Sequence, residues 1–538
     1  EEAEADAVRA FKNEYDLQGV KLEPDTKRYY PYASLASHVI GFVGADNTGL
    51  SGLEFTQNEL LTGTAGSILR LKNSAGTDMI LTSYEDYVDA QDGLNLHLTI
   101  DTTVQYYLEK QLSQAVQDFD IQNGAAGIIM DPNTGAILAM ASLGNFDLNN
   151  YQRVSADIQS EIDSTADPDT AAQMLKDAQL AQWRNKAISD TYEPGSTFKL
   201  ITASSALDEG VISLTDTFSC NTKINVAGVT LHCWSSRDHV TQTIKQAIGN
   251  SCNPVLAQIA AKLGKENFYK YLDLYGITSQ TGIDYPGETG SITYALEDVG
   301  PVELATIGYG QSISITPIQL LTAVCSIGND GVLLQPRYVK ALTDEDGKVV
   351  EEFEKTEVRR VISEETAAEM RDIMEYVVSE GGAGGAKVTG YRVGGKTGTA
   401  NKVEDGKYGD NYYSSFIGMA PMNDPKVAIL VVVDSPKGAF YGSMVACPIA
   451  KNILTDVLRY MNIEPQYTEE EKAAMESNYT TVPNIVGQEY SEAVGIVAGK
   501  NLNCASSDST DDNYIVAAQY PAAGTKVKVG SDVYAYSQ

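Results

Sequence analysis

Apolar positions recur along the chain with two different periods. Leu94, Leu96, Leu98 and Ile100 alternate with polar residues and predict a strand, whereas Leu108, Leu112 and Val116 at i, i+4, i+8 predict a helix over 104–119. Two apolar runs, Ala125–Met130 and Ala136–Met140, flank Asp131-Pro-Asn-Thr-Gly135, which reads as a hairpin turn. Residues 155–190 read as polar helices and 198–264 as predominantly helical, with a further helix near 317–327. Strands are expected at 392–398, 414–419 and 427–434, and a helix near 448–461. Helices enclosed between strands at both ends predict one α+β domain whose sheet joins distant parts of the chain.

The flanks differ. Up to Ile121 the chain is polar, irregular and rich in turn signals such as Asp46-Asn-Thr-Gly49. The acidic stretch 465–478 reads as a linker. After it, Val482-Pro-Asn-Ile-Val-Gly487 opens a small unit with a helix at 491–500 and strands at 515–519, 526–529 and 533–536.

Length makes this two to four domains: 538 residues, 43% apolar and 21% charged, a globular composition. The net charge of −33 excludes a nucleic-acid partner, which needs a basic face, and disfavours docking on an anionic membrane through a polybasic patch. The longest apolar run, Val427–Val433, is far short of the ~20 residues of a membrane span. Six cysteines are too few for a disulfide scaffold. The opening Glu1-Glu-Ala-Glu-Ala, without Met or leader pattern, leads us to expect a trimmed fragment.

Three short motifs carry candidate chemistry. In Ser196-Thr-Phe-Lys199, introduced by Glu193-Pro-Gly195, a helix start places Lys199 on the face of Ser196, where an unprotonated lysine can take the hydroxyl proton. Free N–H groups at the helix start suit an oxyanion. Ser251-Cys-Asn253 is the second motif and Lys396-Thr-Gly-Thr399 the third. On a strand, Thr397 and Thr399 share one face with Lys396 on the other, and Gly398 is expected to let a substrate backbone approach. Singly these motifs are weak, but S-x-x-K, S-x-N and K-T-G in this order form the signature of penicillin-binding proteins and serine β-lactamases. A rival lies in Gly390-Tyr-Arg-Val-Gly-Gly395-Lys396-Thr397, which fits a phosphate-binding loop. That loop must open a helix, and the polar residues after Thr399 predict none.

The chain resembles a class B penicillin-binding protein, a peptidoglycan D,D-transpeptidase. Arg28-Tyr-Tyr-Pro31, His38-Val-Ile-Gly41 and Gly49-Leu-Ser-Gly-Leu-Glu54 are similar to the family's pedestal. Met130–Met140, Tyr192–Lys199 and Gly394–Ala400 are similar to its transpeptidase domain, and Val482–Gln538 resembles a PASTA module. One terminal module resembles sporulation-type members from Gram-positive bacteria. The resemblance implies an α+β transpeptidase fold with an antiparallel sheet covered by helices on both sides. The implied segments are a truncated pedestal or dimerisation-type domain at 1–120, the transpeptidase domain at 121–464, a linker at 465–480 and a PASTA-like domain at 481–538.

The resemblance also implies roles. Ser196 attacks the bond between two D-alanines of a stem peptide and Lys199 is its base. Ser251 relays a proton to the leaving amine, Asn253 lines the cleft, and Lys396 supports the relay. Thr397 and Thr399 hold the substrate carboxylate, and the N–H groups of Ser196 and Thr399 form the oxyanion hole. Implied partners are stem peptides, the lipid-linked precursor, β-lactams acylating the same serine, and a membrane glycosyltransferase. The implied location is the extracytoplasmic face of the cell membrane, through an N-terminal anchor outside this chain. A D,D-carboxypeptidase or β-lactamase, and a non-enzymatic β-lactam sensor, are the alternatives. No glutamate stands out as the deacylating base of a β-lactamase.

Cysteine and histidine are unevenly placed. Of six Cys and four His, five fall between 220 and 252: Cys220, His232, Cys233, His239 and Cys252. The spacing C-x12-C-x5-H-x12-C, with His232 to spare, suits a structural zinc held by Cys220, Cys233, His239 and Cys252, although the C-x2-C knuckle is absent. A Cys220–Cys233 or Cys233–Cys252 disulfide and free buried thiols are the alternatives. Cys325, Cys447 and Cys504 read as core residues, as do Met130 and Met140, and His38 and His97 carry no partner pattern.

Overall fold

The computed structural model describes residues 2–17, 19–22, 26–69, 86–121, 123–404, 406–507 and 513–538. Part of the expected pedestal, 70–85, lies outside the described residues.

The long apolar run near residue 430 is the middle strand of a five-stranded antiparallel sheet. Its strands are β1 (Ala125–Met130), β2 (Ile137–Ser142), β3 (Gly394–Glu404), β4 (Lys407–Ala420) and β5 (Val427–Asp434), in spatial order β3-β4-β5-β1-β2. β5 is buried on both faces, which is why it reads as a continuous apolar run. Its pairing with β1, Leu430 opposite Ile128, closes the sheet across the intervening chain.

Six helices position the site: α1 (Thr102–Phe119), α2 (Lys199–Asp208), α3 (Asn253–Leu263), α4 (Pro317–Gly328), α5 (Glu364–Ser379) and α6 (Ala446–Tyr460). Asp101 caps α1 through the N–H groups of Thr103 and Val104, and a Thr316–Gln319 capping box with Pro317 starts α4. α1 and α6 pack together on the sheet, while α4 and α5 pack against it and against α2, which in turn meets α3. The close seat of α1 on β1 requires Gly127, where an added Cβ would lie 2.6 Å from Leu108.

Three expectations are corrected. First, 198–264 is not continuously helical. Residues 217–243 form two antiparallel ribbons, Thr217–Cys220 with Val240–Thr243 and Lys223–Val226 with Val229–His232. The turn residues Ala227 and Gly228 both have positive φ, as a two-residue hairpin favours, and β-branched residues alternate around them. Second, the polar amino-terminal part begins with a helix, Glu2–Glu14. Third, sequence periodicity passed over α5 and the short strands between 332 and 360. Asn95–Leu98 joins one group of these as an edge of a three-stranded sheet.

A second unit comprises residues 388–391 and 463–538. The expected acidic linker carries a helix, Glu469–Ser477, held by a Thr468–Glu471 capping box. Beyond it, helix Tyr490–Ala498 packs on a three-stranded sheet of Asn503–Ser506, Asp532–Tyr536 and Ala518–Tyr520. Val482, Ile485, Val497, Leu502, Val516 and Val533 form its core, with Cys504 packed against it.

Candidate active site

The chain enters the site through Glu193-Pro194-Gly195. Gly195 has φ +53, and its N–H donates to the carbonyl of Gly310 at 2.9 Å. A single 3-10 turn, Gly195–Phe198, then runs into α2. Thr197 donates its hydroxyl to the Pro194 carbonyl at 2.7 Å, pinning this turn. Ser196 is half-buried, whereas Lys199, the first residue of α2, is fully buried.

Lys199 joins the first two motifs. Its ammonium donates to the carbonyl oxygen of Ser251 (2.7 Å), to Ser251 Oγ (3.2 Å) and to Asn253 Oδ1 (2.7 Å). The expected bond to Ser196 is replaced by these three; such contacts often tighten only with substrate bound. Burial, helped by the positive charge of Lys396, holds the Lys199 pKa well below its ordinary value. Ser251 sits at φ +52, a left-handed conformation uncommon for a side-chain-bearing residue, between helix Ile244–Gly249 and α3.

The third motif lies on β3. Lys396 is buried, and its Nζ donates to the Thr397 carbonyl at 2.9 Å; burial pushes its pKa down to about 7. Thr397 and Thr399 are half-buried on the same face of the strand. Gly398 serves a different purpose from the one expected. A Cβ there would lie 2.4 Å from Ser415 Oγ and 2.8 Å from the Pro194 carbonyl, so the protein's own chain fills the space. Gly398 thus allows the turn carrying Ser196 to seat against β3. The phosphate-loop alternative fails, because Lys396 and Thr397 lie inside an eleven-residue strand and no helix follows.

Beside the second motif, the side-chain ligand atoms of Cys220, Cys233, His239 and Cys252 all lie within 4.8 Å of one another. Cys220 ends one ribbon strand, Cys233 follows another, His239 precedes a third, and Cys252 is the N-cap of α3. The Cys252 thiol beside Cys233 holds the Cys233 pKa below its ordinary value. All six cysteines are free thiols, and His232 is exposed outside the cluster.

Residues 125–455 match the family model described as the penicillin binding protein transpeptidase domain. The chain belongs to this family of penicillin-binding proteins. Residues 2–98 match the penicillin-binding protein dimerisation domain and residues 480–536 the PASTA domain. The chain is 39% identical over 527 residues to stage V sporulation protein D of Bacillus subtilis, covering 97% of this chain and 77% of that relative. It is 29% identical over 469 residues to the peptidoglycan D,D-transpeptidase FtsI of Escherichia coli, covering 86% and 71%. Crystal structures of penicillin binding protein 3 from Mycobacterium tuberculosis, complexed with aztreonam and with ampicillin, superpose with a TM-score of 0.69 at 28% identity. They cover 82% of this chain and 91% of theirs. This penicillin-binding protein is a serine-type peptidoglycan D,D-transpeptidase.

Sequence reading assigned no role to Glu193 or Gly442. Glu193 accepts the N–H of Ser312 at 2.9 Å and meets the Tyr408 hydroxyl at 3.3 Å, and burial raises its pKa. Gly442 donates its N–H to Thr399 Oγ1 at 3.0 Å. A Cβ there would lie 2.3 Å from the Gly398 carbonyl, so a glycine in a strand-to-helix connection was the one available hint.

Proposed function

We propose that Ser196 is the nucleophile and Lys199 its base in transpeptidation. Ser196 Oγ attacks the carbonyl carbon between the terminal D-alanines and its proton passes to Lys199. The N–H groups of Ser196 and Thr399 stabilise the oxyanion. Collapse expels the terminal D-alanine, whose amine is protonated through Ser251 with Lys396 supporting the transfer, and leaves an ester on Ser196. Thr397 and Thr399 hold the substrate carboxylate beforehand, and Asn253 orients Lys199 from the cleft wall. An amine of a neighbouring stem peptide then takes the acyl group, forming the cross-link and freeing the serine. The carrying observation is the buried Lys199, whose hydrogen-bond acceptors are all neutral oxygens and whose proton is held loosely.

β-Lactams acylate the same serine, as the complexes of the mycobacterial relative suggest by similarity. The test is intact mass after exposure to benzylpenicillin. A lasting adduct on Ser196, absent from Ser196→Ala, supports the reading. Turnover without accumulation points to a hydrolase, and no adduct in folded protein overturns the acyl-enzyme. Cross-linking of lipid-linked precursor then separates an enzyme from a sensor.

The four-residue cluster fits a structural zinc. Three thiols and one imidazole within 4.8 Å match the softness and number of ligands of a closed tetrahedral site. Cys220, Cys233, His239 and Cys252 would hold the ion and leave no open position for chemistry. Bound there, zinc would tie the ribbons to the N-terminus of α3 and so fix Ser251 and Asn253.

No helix among the described residues is long and apolar enough to cross a membrane. A wall-polymer substrate supports work on the extracytoplasmic face of the cell membrane, with an anchor and a membrane glycosyltransferase as partners.

A further inference from the structure

The oxyanion hole proposed above draws its two N–H groups from separate segments. That of Ser196 belongs to the turn 193–198, and that of Thr399 to β3, which pairs with β4 in a long hairpin. Their spacing is fixed when turn and hairpin are held together. Packing does part of this. A Cβ on Gly398 would lie 2.8 Å from the Pro194 carbonyl, and one on Gly195 would lie 3.2 Å from Ala400. Contacts of this kind resist closer approach strongly and separation weakly.

A hydrogen bond opposes the separation. Glu193 stands three residues before Ser196, and each of its carboxylate oxygens accepts from the Tyr408 hydroxyl at 3.3 Å. Tyr408 lies on β4 opposite Val403 of β3, just beyond a register shift between Asn401 and Val403. Such a bulge bends a hairpin and re-aims the side chains after it. Among the described residues, no other hydrogen bond joins 193–198 to β3 or β4. Tyr408 is 50% exposed, so burial alone does not hold it there.

The carboxylate is anchored from behind. Ser312, at φ +62, donates its N–H to Glu193 Oε1 at 2.9 Å, and the Gly310 carbonyl accepts the N–H of Gly195. A Cβ on Gly310 would lie 1.9 Å from the Gly195 carbonyl oxygen, so loop 309–312 presses backbone to backbone on the turn. Glu193 is half-buried, and a hydrogen bond to a partly desolvated carboxylate is stronger than one between neutral groups.

We propose that Glu193 and Tyr408 are positioning residues that hold the turn carrying Ser196 against the β3–β4 hairpin and so set the spacing of the two oxyanion N–H groups. Both act through Ser196 and Thr399, not on the substrate. The inference rests on the acyl-enzyme reading above and adds the pair that keeps its oxyanion hole in register. Donors aimed at an oxyanion stabilise the transition state more than the bound substrate. Loss of the pair therefore slows the chemical step and spares initial binding.

The test is stopped-flow acylation of the full chain by nitrocefin, whose colour change reports ring opening. It separates the limiting acylation rate from the dissociation constant of the initial complex. Tyr408→Phe keeps the ring and removes the hydroxyl. Its limiting rate should fall about tenfold, with the dissociation constant within about twofold of the wild type. Glu193→Gln, which keeps an acceptor for Ser312, should slow the same step. The double variant should be no slower than the slower single one, since each loses the same interaction. An unchanged limiting rate in Tyr408→Phe, or full additivity, overturns the proposal. A purely structural pair would lower Tm without splitting rate from binding, and that result also overturns it. A boronic acid analogue of D-alanine gives a second readout. Ser196 Oγ adds to boron, its proton passes to Lys199, and a boron-bound oxygen takes the place of the oxyanion. Affinity for it should fall in Tyr408→Phe by the same factor as the limiting rate, and unchanged affinity overturns the proposal. Absence of any adduct in the wild type instead overturns the acyl-enzyme reading and this one with it.

Discussion

Lys199 Nζ donates to Asn253 Oδ1 at 2.7 Å, and Asn253 Nδ2 in turn donates to the carbonyl of His232. Lys199 is thereby oriented by the loop that also carries Cys252. Asn253→Ala removes this acceptor and leaves Lys199 held only by the carbonyl and hydroxyl of Ser251. Hydrogen bonds of this kind contribute about 1.5–3 kcal/mol, so β-lactam acylation should slow roughly 10- to 100-fold. Stopped-flow acylation kinetics check this, and an unaltered rate would remove Asn253 from the site.

The acylation rate should rise with pH as Lys199 loses its proton, with a midpoint below the ordinary lysine value of 10.5. The charge on Lys396 contributes to that displacement. Lys396→Met removes it, so Lys199 holds its proton more tightly and the rising limb should move to higher pH. The pH profile of the residual acylation rate reads this shift directly; movement to lower pH contradicts the coupling.

Lys396 also links stability to pH. Its folded-state pKa is about 7 against 10.5 ordinarily, so between these values the unfolded chain binds the proton that the folded chain releases. Stability therefore rises with pH through that window, and the cost of burying the charge is fully present below pH 7. Lys396→Met should gain most over the wild type near pH 7 and least near pH 10, by on the order of a few kcal/mol. Urea melts of both proteins at the two pH values measure the difference.

Purified protein should contain one zinc per chain. Cys233→Ser and His239→Ala should each reduce metal content, lower Tm, and slow acylation through the loop at Ser251. Three thiols titrating freely in metal-free native protein would contradict this. Elemental analysis with thiol titration provides the check.

Gly398→Ala should open the cleft from within. The new methyl would meet Ser415 Oγ at 2.4 Å and the Pro194 carbonyl at 2.8 Å, so the turn carrying Ser196 must part from β3. Overpacking of this kind costs about 1–3 kcal/mol, and acylation should fall at least about tenfold as Ser196 and Thr399 separate. Chemical denaturation and acylation kinetics read the two effects.

Much of the sheet was legible because each strand announces itself locally. Val427–Val433 reads as an apolar run because it becomes a strand buried on both faces. The hairpin at 125–142 reads from its turn residues. The ribbons at 217–243 did not. Their strands are only four residues long and largely exposed, so the alternation they carry is too short to outweigh the helical patterning on either side. The Cys and His residues were nevertheless singled out, since ligand spacing survives a wrong secondary-structure assignment.

Sequence alone singled out the candidate residues: a serine, two lysines and two threonines in ordered motifs, and three cysteines with one histidine. These follow from residue type and spacing, which are local properties. Tertiary structure decided where they meet. It turned Lys199 toward Ser251 and Asn253, used Gly398 to seat the turn carrying Ser196, and brought Trp234 into edge contact with Tyr441. These are contacts between segments up to about two hundred residues apart, set by the packing of strands and helices onto one sheet, and no local pattern encodes them.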